Sequence, residues 1–320
     1  MRFTTHGLWC TRRTRIAFTR HASPRVATWV CVFCVLFCGT SNAIAQDWLR
    51  ATEFRPSQSL IFRGQELEPT ERHEAEHAHE VHIETDRDSY TPATTTAGRG
   101  RWIAEAAYSF IDNRHTSDSH SLPEMLLRYG VSDRLEFRLG WNYEVGGSSS
   151  SVSNSDTGIP DEGPKLEREH SMLYGLKVGI TEQQAWLPRS ALIVQGFTPT
   201  GGPNTSTNLG VVYVCGWKLP NEWHLDAAMK YGLATAEHDT FNQWAPSIVL
   251  KVPVAEKWNA HIEYFSIHAT GSAHDQAVHY VSPGVHYLLT SDFEIGVRLG
   301  WGLNDDASRF FTNVGIGRRF

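Results

Sequence analysis

An all-β fold, an antiparallel up-and-down transmembrane β-barrel of about twelve strands over residues 101–320, is predicted by three observations. Apolar and polar residues alternate with a period of two in segment after segment, short and long connections alternate between those segments, and aromatic residues gather at the segment ends. Successive side chains of a strand point to opposite faces, so such alternation describes a strand with lipid on one side and a polar lumen on the other. It is clearest from Leu135 to Val145. Leu135, Phe137, Leu139, Trp141, Tyr143 and Val145 make one face, and Glu136, Arg138, Gly140, Asn142 and Glu144 make the other. Phe293 to Leu303 repeats the pattern, down to a shared Arg-Leu-Gly-Trp.

Composition permits this fold and excludes others. A mean hydropathy of -0.34 rules out a bundle of transmembrane helices, whereas a barrel, with only every second strand residue in lipid, keeps a polar average. Residues 1–45 read as a signal peptide: six arginines, an apolar run from Val26 to Cys38, then Ala43-Ile44-Ala45, with cleavage expected after Ala45. The bulky Phe37 before Cys38 argues against a lipid anchor; Arg12-Arg13 resembles a twin-arginine signal, but a barrel must cross the inner membrane unfolded, so general secretion is the expected route. Removing six arginines and no acid from 29 basic and 35 acidic residues leaves a net charge near −12, so a nucleic-acid partner is not expected. Four of the five cysteines leave with the signal, and Cys215 alone can form neither a disulfide framework nor a cysteine metal site.

Residues 46–100 read as a polar, His- and Glu-rich periplasmic leader, helical or partly disordered, with no sustained alternation, and residues 46–82 of it as either a lumen plug or a periplasmic tether. His73 and His77 fall at i and i+4 and His79 and His82 at i and i+3, a spacing that would place each pair on one face of a helix as metal ligands. The plainer reading, a solvated acidic linker, is preferred, and no cofactor is expected.

Beyond Gly100 similar strands include Trp102 to Phe110, Met172 to Ile180, Leu209 to Leu219, Trp223 to Leu233, Trp244 to Val252 and Trp258 to Tyr264. Short turns centre on Ser132-Asp133-Arg134, Thr181 to Arg189, Pro220-Asn221-Glu222, Ala255-Glu256-Lys257 and Thr290-Ser291-Asp292. Between them lie longer links at Asp112 to Ser121, Gly146 to Glu169, Pro199 to Thr207, Ala236 to Asn242, Gly271 to Gln276 and Asn304 to Ala307. An even strand count then puts both barrel ends on the periplasmic side. The terminal aromatic Phe320 is the expected signal to the barrel-assembly machinery. A soluble sandwich or lipocalin would share the alternation, but its outward aromatics would face water and its inward charges a dry core.

The lumen face carries Glu105, Glu124, Arg128, Glu136, Arg138, Glu144, Lys177, Asp226, Lys230, Lys251, His261, Glu263, Glu294 and Arg298. Mixed signs on neighbouring strands favour a salt-bridged filling over an ion-selective ring, and Glu105, Arg128, Glu136, Arg138, Glu294 and Arg298 are the expected charge network. A barrel of this size is too narrow for a general porin, so passage would run through a pocket and a wall opening, with Pro246, Pro283 and Pro199-Thr200-Gly201-Gly202 as candidate places, although an ordinary bulge or loop entry is the preferred reading of each. Ser266-Ile267-His268 puts a serine and a histidine on one strand face, a weak sign of an outer-wall hydrolase with no further catalytic motif.

Ile83 to Pro92 resembles the "TDRPDFT" opening of the outer-membrane barrels named for the MetA pathway of phenol degradation, with Asp88-Ser89 in place of Pro-Asp. Leu126 to Arg138 is similar to that family's second hairpin, Phe197-Thr198-Pro199-Thr200-Gly201 to its "LPTG" bend, and Leu303-Asn304-Asp305-Asp306 with the closing Gly-Arg-Arg-Phe to its last hairpin. The resemblance spans about Ile83 to Phe320. It implies an outer-membrane channel for small hydrophobic or aromatic molecules, embedded in outer-membrane lipid and not an enzyme. The alternative is a structural or surface-interaction barrel that transports nothing.

Overall fold

The computed structural model describes residues 82–320 except 88, 115, 148–166, 203–205, 237–238 and 272–275. The signal segment, the leader as far as residue 81 and the candidate ligands His73, His77 and His79 lie outside the described residues; His82 is exposed.

Twelve strands follow in order: β1 (Trp102–Asp112), β2 (Ser119–Gly130), β3 (Leu135–Gly146), β4 (Glu167–Thr181), β5 (Arg189–Gly201), β6 (Asn208–Lys218), β7 (His224–Ala236), β8 (Asp239–Ala255), β9 (Trp258–Thr270), β10 (Gln276–Thr290), β11 (Phe293–Gly302) and β12 (Phe310–Arg319). Each pairs antiparallel with its sequence neighbours, and β1 closes on β12 from Ile103↔Arg319 to Asp112↔Phe310. Beyond that ladder, Trp102 and Phe320 exchange backbone hydrogen bonds of 3.2 and 2.8 Å, so the last residue completes the seam. Closure leaves no edge strand, which is what a backbone in hydrocarbon requires.

The predicted faces hold. Phe137, Leu139, Val297, Leu299 and Trp301 are exposed on the outer wall, while Glu136, Arg138, Glu294 and Arg298 are buried within. Aromatic pairs ring both ends. Trp102 against Tyr129 and Trp258 against Tyr287 stand at the short-turn end, and Trp301 against Phe310 at the long-loop end.

Several strands run further than their residue types suggest. β8 begins at Asp239, inside the segment expected to be a loop, and continues through Pro246 and Pro253 to Ala255. β9 extends past Tyr264 to Thr270. A neighbouring strand that offers a ladder overrides weak local preference, and proline is tolerated where its missing N–H is not needed. The β8–β9 register accordingly skips from Trp244↔His268 to Ser247↔Phe265 around Pro246. The β10–β11 register skips from Val281↔Trp301 to Gly284↔Arg298 around Pro283.

The largest difference from expectation concerns the end of the leader. Residues 83–87 and 89–97 do not stay outside the barrel as a periplasmic leader but lie within it as a plug. Ile83 N–H donates to Ser291 O (2.8 Å) and Thr96 Oγ1 to Asp133 O (2.8 Å), both acceptors in short turns, so the segment enters and leaves at one end. Strands about 4.8 Å apart and tilted near 40° give a twelve-stranded barrel a backbone radius of roughly 12 Å. Inward side chains take about 5 Å on each side, which leaves a bore about wide enough for one folded-back chain.

Close approach fixes the plug's base. A Cβ on Gly317 of β12 would lie 2.2 Å from Thr85 Cγ2. Gly317→Val is therefore expected to leave the barrel closed, seen as a compact unheated band on a gel, while lifting the plug and raising ion conductance several-fold. Unchanged conductance would mean that the plug yields without opening the lumen.

Candidate functional site

The site is where plug and wall meet. On one side, β1 to β4 present Glu105, Arg128, Glu136, Arg138 and Lys177 to the lumen, all buried. The hairpin register sets Arg128 directly opposite Arg138, a repulsive placement for two cations in a low-dielectric interior. Anions between them relieve it. Arg128 Nε donates to Glu136 Oε1 (3.0 Å) and its Nη1 to Glu105 Oε1 (3.1 Å), and Arg138 Nη1 donates to the same Glu136 oxygen (3.0 Å). These wall groups amount to three cations and two carboxylates. The third carboxylate comes from the plug: Asp86 is hydrogen-bonded by Arg138, lies 3.6 Å from Arg128 Nη1 and accepts from Lys177 Nζ at 3.5 Å.

The plug's backbone is held by the same groups. Glu105 Oε2 accepts from the Asp86 and Arg87 N–H groups (2.9 and 3.0 Å), and Glu136 Oε2 from Ala97 N–H (2.7 Å). Arg128 donates to the carbonyls of Glu84 and Thr95 (2.9 and 3.2 Å), gripping both limbs of the loop. Arg87 in turn matches the wall carboxylate Glu124 at 3.1 Å and donates to Met125 O at 2.8 Å. A polar backbone packed against the inner wall would otherwise leave its donors and acceptors unmade, and charged partners are the strongest available.

The tip of the plug meets the opposite wall. Glu263 of β9 accepts from Tyr90 N–H (2.8 Å), Thr91 N–H (2.7 Å) and Thr91 Oγ1 (2.7 Å), and from Arg298 Nη1 of β11 at 3.3 Å. Thr91 Oγ1, its own proton on Glu263, accepts from the Ser247 hydroxyl of β8 (2.8 Å). The Tyr90 ring stacks on Phe265 with centroids 4.2 Å apart and planes at 11°, and Lys230 Nζ lies 3.4 Å from its centroid. Phe265 continues into Tyr280 and Phe311. Strands β2–β3 and β8–β9 stand six apart in a ring of twelve, so Arg87 on Glu124 and Tyr90 and Thr91 on Glu263 contact opposite sides of the lumen.

The expected charge network is thus two clusters. Glu105, Arg128, Glu136 and Arg138 meet around Asp86, whereas Arg298 pairs with Glu263, and Glu294 accepts from Thr85 Oγ1 at 3.0 Å with His286 Nδ1 at 3.7 Å. Asp86, Arg87 and Thr91 were not read from the sequence as site residues. A signal was available, because Arg128 facing Arg138 across a predicted turn demands an added anion. A crevice lined by Thr85, Arg87, Arg298, Asn313, Gly315 and Gly317 runs beside the plug.

Ser266 and His268 do share the outer side of β9, with Ser266 Oγ and His268 Nε2 3.0 Å apart. His268 stacks on Trp244 at 3.9 Å and meets His279 edge-on, and Ser266 is buried, so the pair packs the wall beside the Pro246 interruption. Among the described residues no group of three or more His, Cys, Asp or Glu side chains is placed to hold a metal ion. Phe320 is exposed, with the Arg318 guanidinium 4.9 Å from its ring centroid.

A family model described as "Putative MetA-pathway of phenol degradation" matches residues 85–320. The fold is similar to that of an outer membrane channel from Pseudomonas putida F1, with 14% identity, a TM-score of 0.51, and cover of 74% of this chain and 100% of that one. The NanC porin (7% identity, TM-score 0.47, 67% and 98% covered) and a loop-deleted OmpT of Vibrio cholerae (12%, 0.39, 69% and 98%) are also similar. No curated protein sequence matches the chain.

Proposed function

Because the chain belongs to the family of the MetA pathway of phenol degradation, we propose that it is an outer-membrane channel for passive passage of small hydrophobic or aromatic molecules. In this reading residues 1–45 are removed near Ala45, and Phe320 addresses the chain to the barrel-assembly machinery. The observation that carries the proposal is the plug spanning the lumen with an aromatic cluster at its tip. A water-filled bore would admit ions and sugars first. With the bore occupied, the remaining features favour apolar rings: Phe265, Tyr280 and Phe311 on the inner wall, and ladder interruptions at Pro246 and Pro283 at which such a solute could pass the wall. The similar P. putida protein is described as an outer membrane channel, which supports the same reading.

Lipopolysaccharide is the layer that slows apolar solutes, so the test belongs in porin-depleted cells. Expression is expected to raise the initial uptake of labelled toluene and phenol several-fold and leave glucose uptake unchanged. No gain for any ring solute would favour the alternative, a non-transporting barrel, which the tightly ion-paired plug also suits.

The outer-wall serine is expected to do no covalent chemistry. Ser266→Ala should cost about 1 kcal/mol of stability through its lost hydrogen bond and leave hydrolysis of phospholipid or nitrophenyl esters at background. An ester-cleaving rate in the refolded barrel that disappears with Ser266→Ala would reinstate the hydrolase.

A further inference from the structure

We infer that the slot filled by Tyr90 is a binding site for a phenolic ring, and that Tyr90 sits in it as a tethered competitor. The inference rests on the channel reading above and names where that channel would hold its solute. The Tyr90 side chain is chemically a 4-alkylphenol, wholly buried, with the Phe265 ring on one face and the Lys230 ammonium 3.4 Å from its centroid. The groups that receive it all belong to the wall: Phe265 on β9, Tyr280 on β10, Phe311 on β12 and Lys230 on β7. Stacking supplies one contact, and a desolvated cation over the ring supplies a second that an aliphatic solute lacks.

A second observation points to a ligand with an oxygen. Lys230 Nζ is buried and makes no hydrogen bond among the described residues, and neither amide atom of Gln243 does. The register places Lys230 opposite Ala245, and Gln243 is the next inward position on that strand. A donor-only ammonium and an amide are thus left on one patch of wall beside an aromatic slot. A free phenol, unlike a ring tied to the plug backbone, can shift to bring its hydroxyl to them.

The hold on Tyr90 suits a displaceable occupant. Its position is fixed by backbone bonds from Tyr90 and Thr91 to Glu263, so the ring can leave the slot without the plug losing its charge pairs at Asp86 and Arg87. A tethered ring competes at an effective concentration on the order of millimolar, which sets how much free phenol the wild-type protein needs.

Calorimetric titration of the full-length mature barrel with 4-methylphenol tests this. Tyr90→Ala is expected to bind saturably at one site and at least about tenfold tighter than wild type, because the competitor is gone. Adding Phe265→Ala or Lys230→Met should weaken that binding by about tenfold or more, and 4-methylcyclohexanol, of similar size but without a π face, should bind Tyr90→Ala weaker by a similar factor. Tyr90→Gly replaces the alanine variant if the latter does not assemble. Only non-saturable partition into detergent by a folded Tyr90 variant, or equal affinity after Phe265→Ala and Lys230→Met, overturns the slot. Solute uptake in cells without saturable binding overturns the slot and leaves the channel standing. Saturable binding without uptake leaves the slot and removes the channel.

Discussion

A mature chain beginning at Gly98, and so lacking the plug, is expected to assemble into the same barrel and to conduct ions at least about tenfold better than the wild type in planar bilayers. Among the described residues all strand-ladder pairs lie between residues 102 and 319, so none of these strands loses a neighbour. What disappears is the stretch that ties Glu124 on one wall to Glu263 on the other. Its removal exposes wall charges to water, where they are solvated at no cost. The bore of the bare wall, set by strand number, would admit hydrated ions and small sugars. In cells the same variant should admit bulky antibiotics that the wild type excludes. Conductance equal to that of the wild type would mean that the plug does not close the ion path, and would detach its charge pairs from any gating role.

This expectation revises the reason for the barrel's narrowness. Strand number alone pointed to a closed lumen, but the occluding matter is the segment from Ile83 to Ala97. Its role was hidden for a physical reason. The faces of Leu135 to Val145 and Phe293 to Leu303 are written in local alternation, because each side chain's surroundings follow from its parity along the strand. Thr85, Asp86 and Arg87 have no such local code. Their partners, from Glu105 to Glu294, lie as far as 209 residues away, and the segment borrows its hydrogen bonds from wall side chains instead of a ladder. The one legible trace is in the wall itself. A predicted turn at Ser132-Asp133-Arg134 sets Arg128 against Arg138, and Glu105 and Glu136 cannot balance those two cations together with Lys177. The resemblance of Thr85-Asp86-Arg87 to a family opening marked the segment as meaningful without saying that it lies inside. The same locality explains the strand ends: Asp239 to Asn242 has loop composition but is held as strand by β7 and β9.

Arg128→Met should undock the plug and bring conductance close to that of the plug-free chain. Arg128 is fully buried, and its guanidinium is within salt-bridge reach of Asp86, Glu105 and Glu136 while bonding the carbonyls of Glu84 and Thr95. Methionine fills similar volume but leaves three carboxylates against Arg138 and Lys177. Breaking a buried charge cluster in this way costs about 3–5 kcal/mol, far more than a surface pair. The wall, stitched by continuous ladders, cannot relieve it, whereas the plug can leave and let water reach the carboxylates. Arg128→Lys should fall between, since a single ammonium cannot bridge three carboxylates and two carbonyls as a planar guanidinium does. Charge balance supplies the decisive control. Asp86→Asn combined with Arg128→Met leaves Glu105 and Glu136 against Arg138 and Lys177, so the double variant should conduct less than Arg128→Met alone, a coupling that independent sites would not give. If Asp86→Asn instead adds to the opening, the cluster holds the plug by the shape and hydrogen bonds of Asp86 and not by balanced charge.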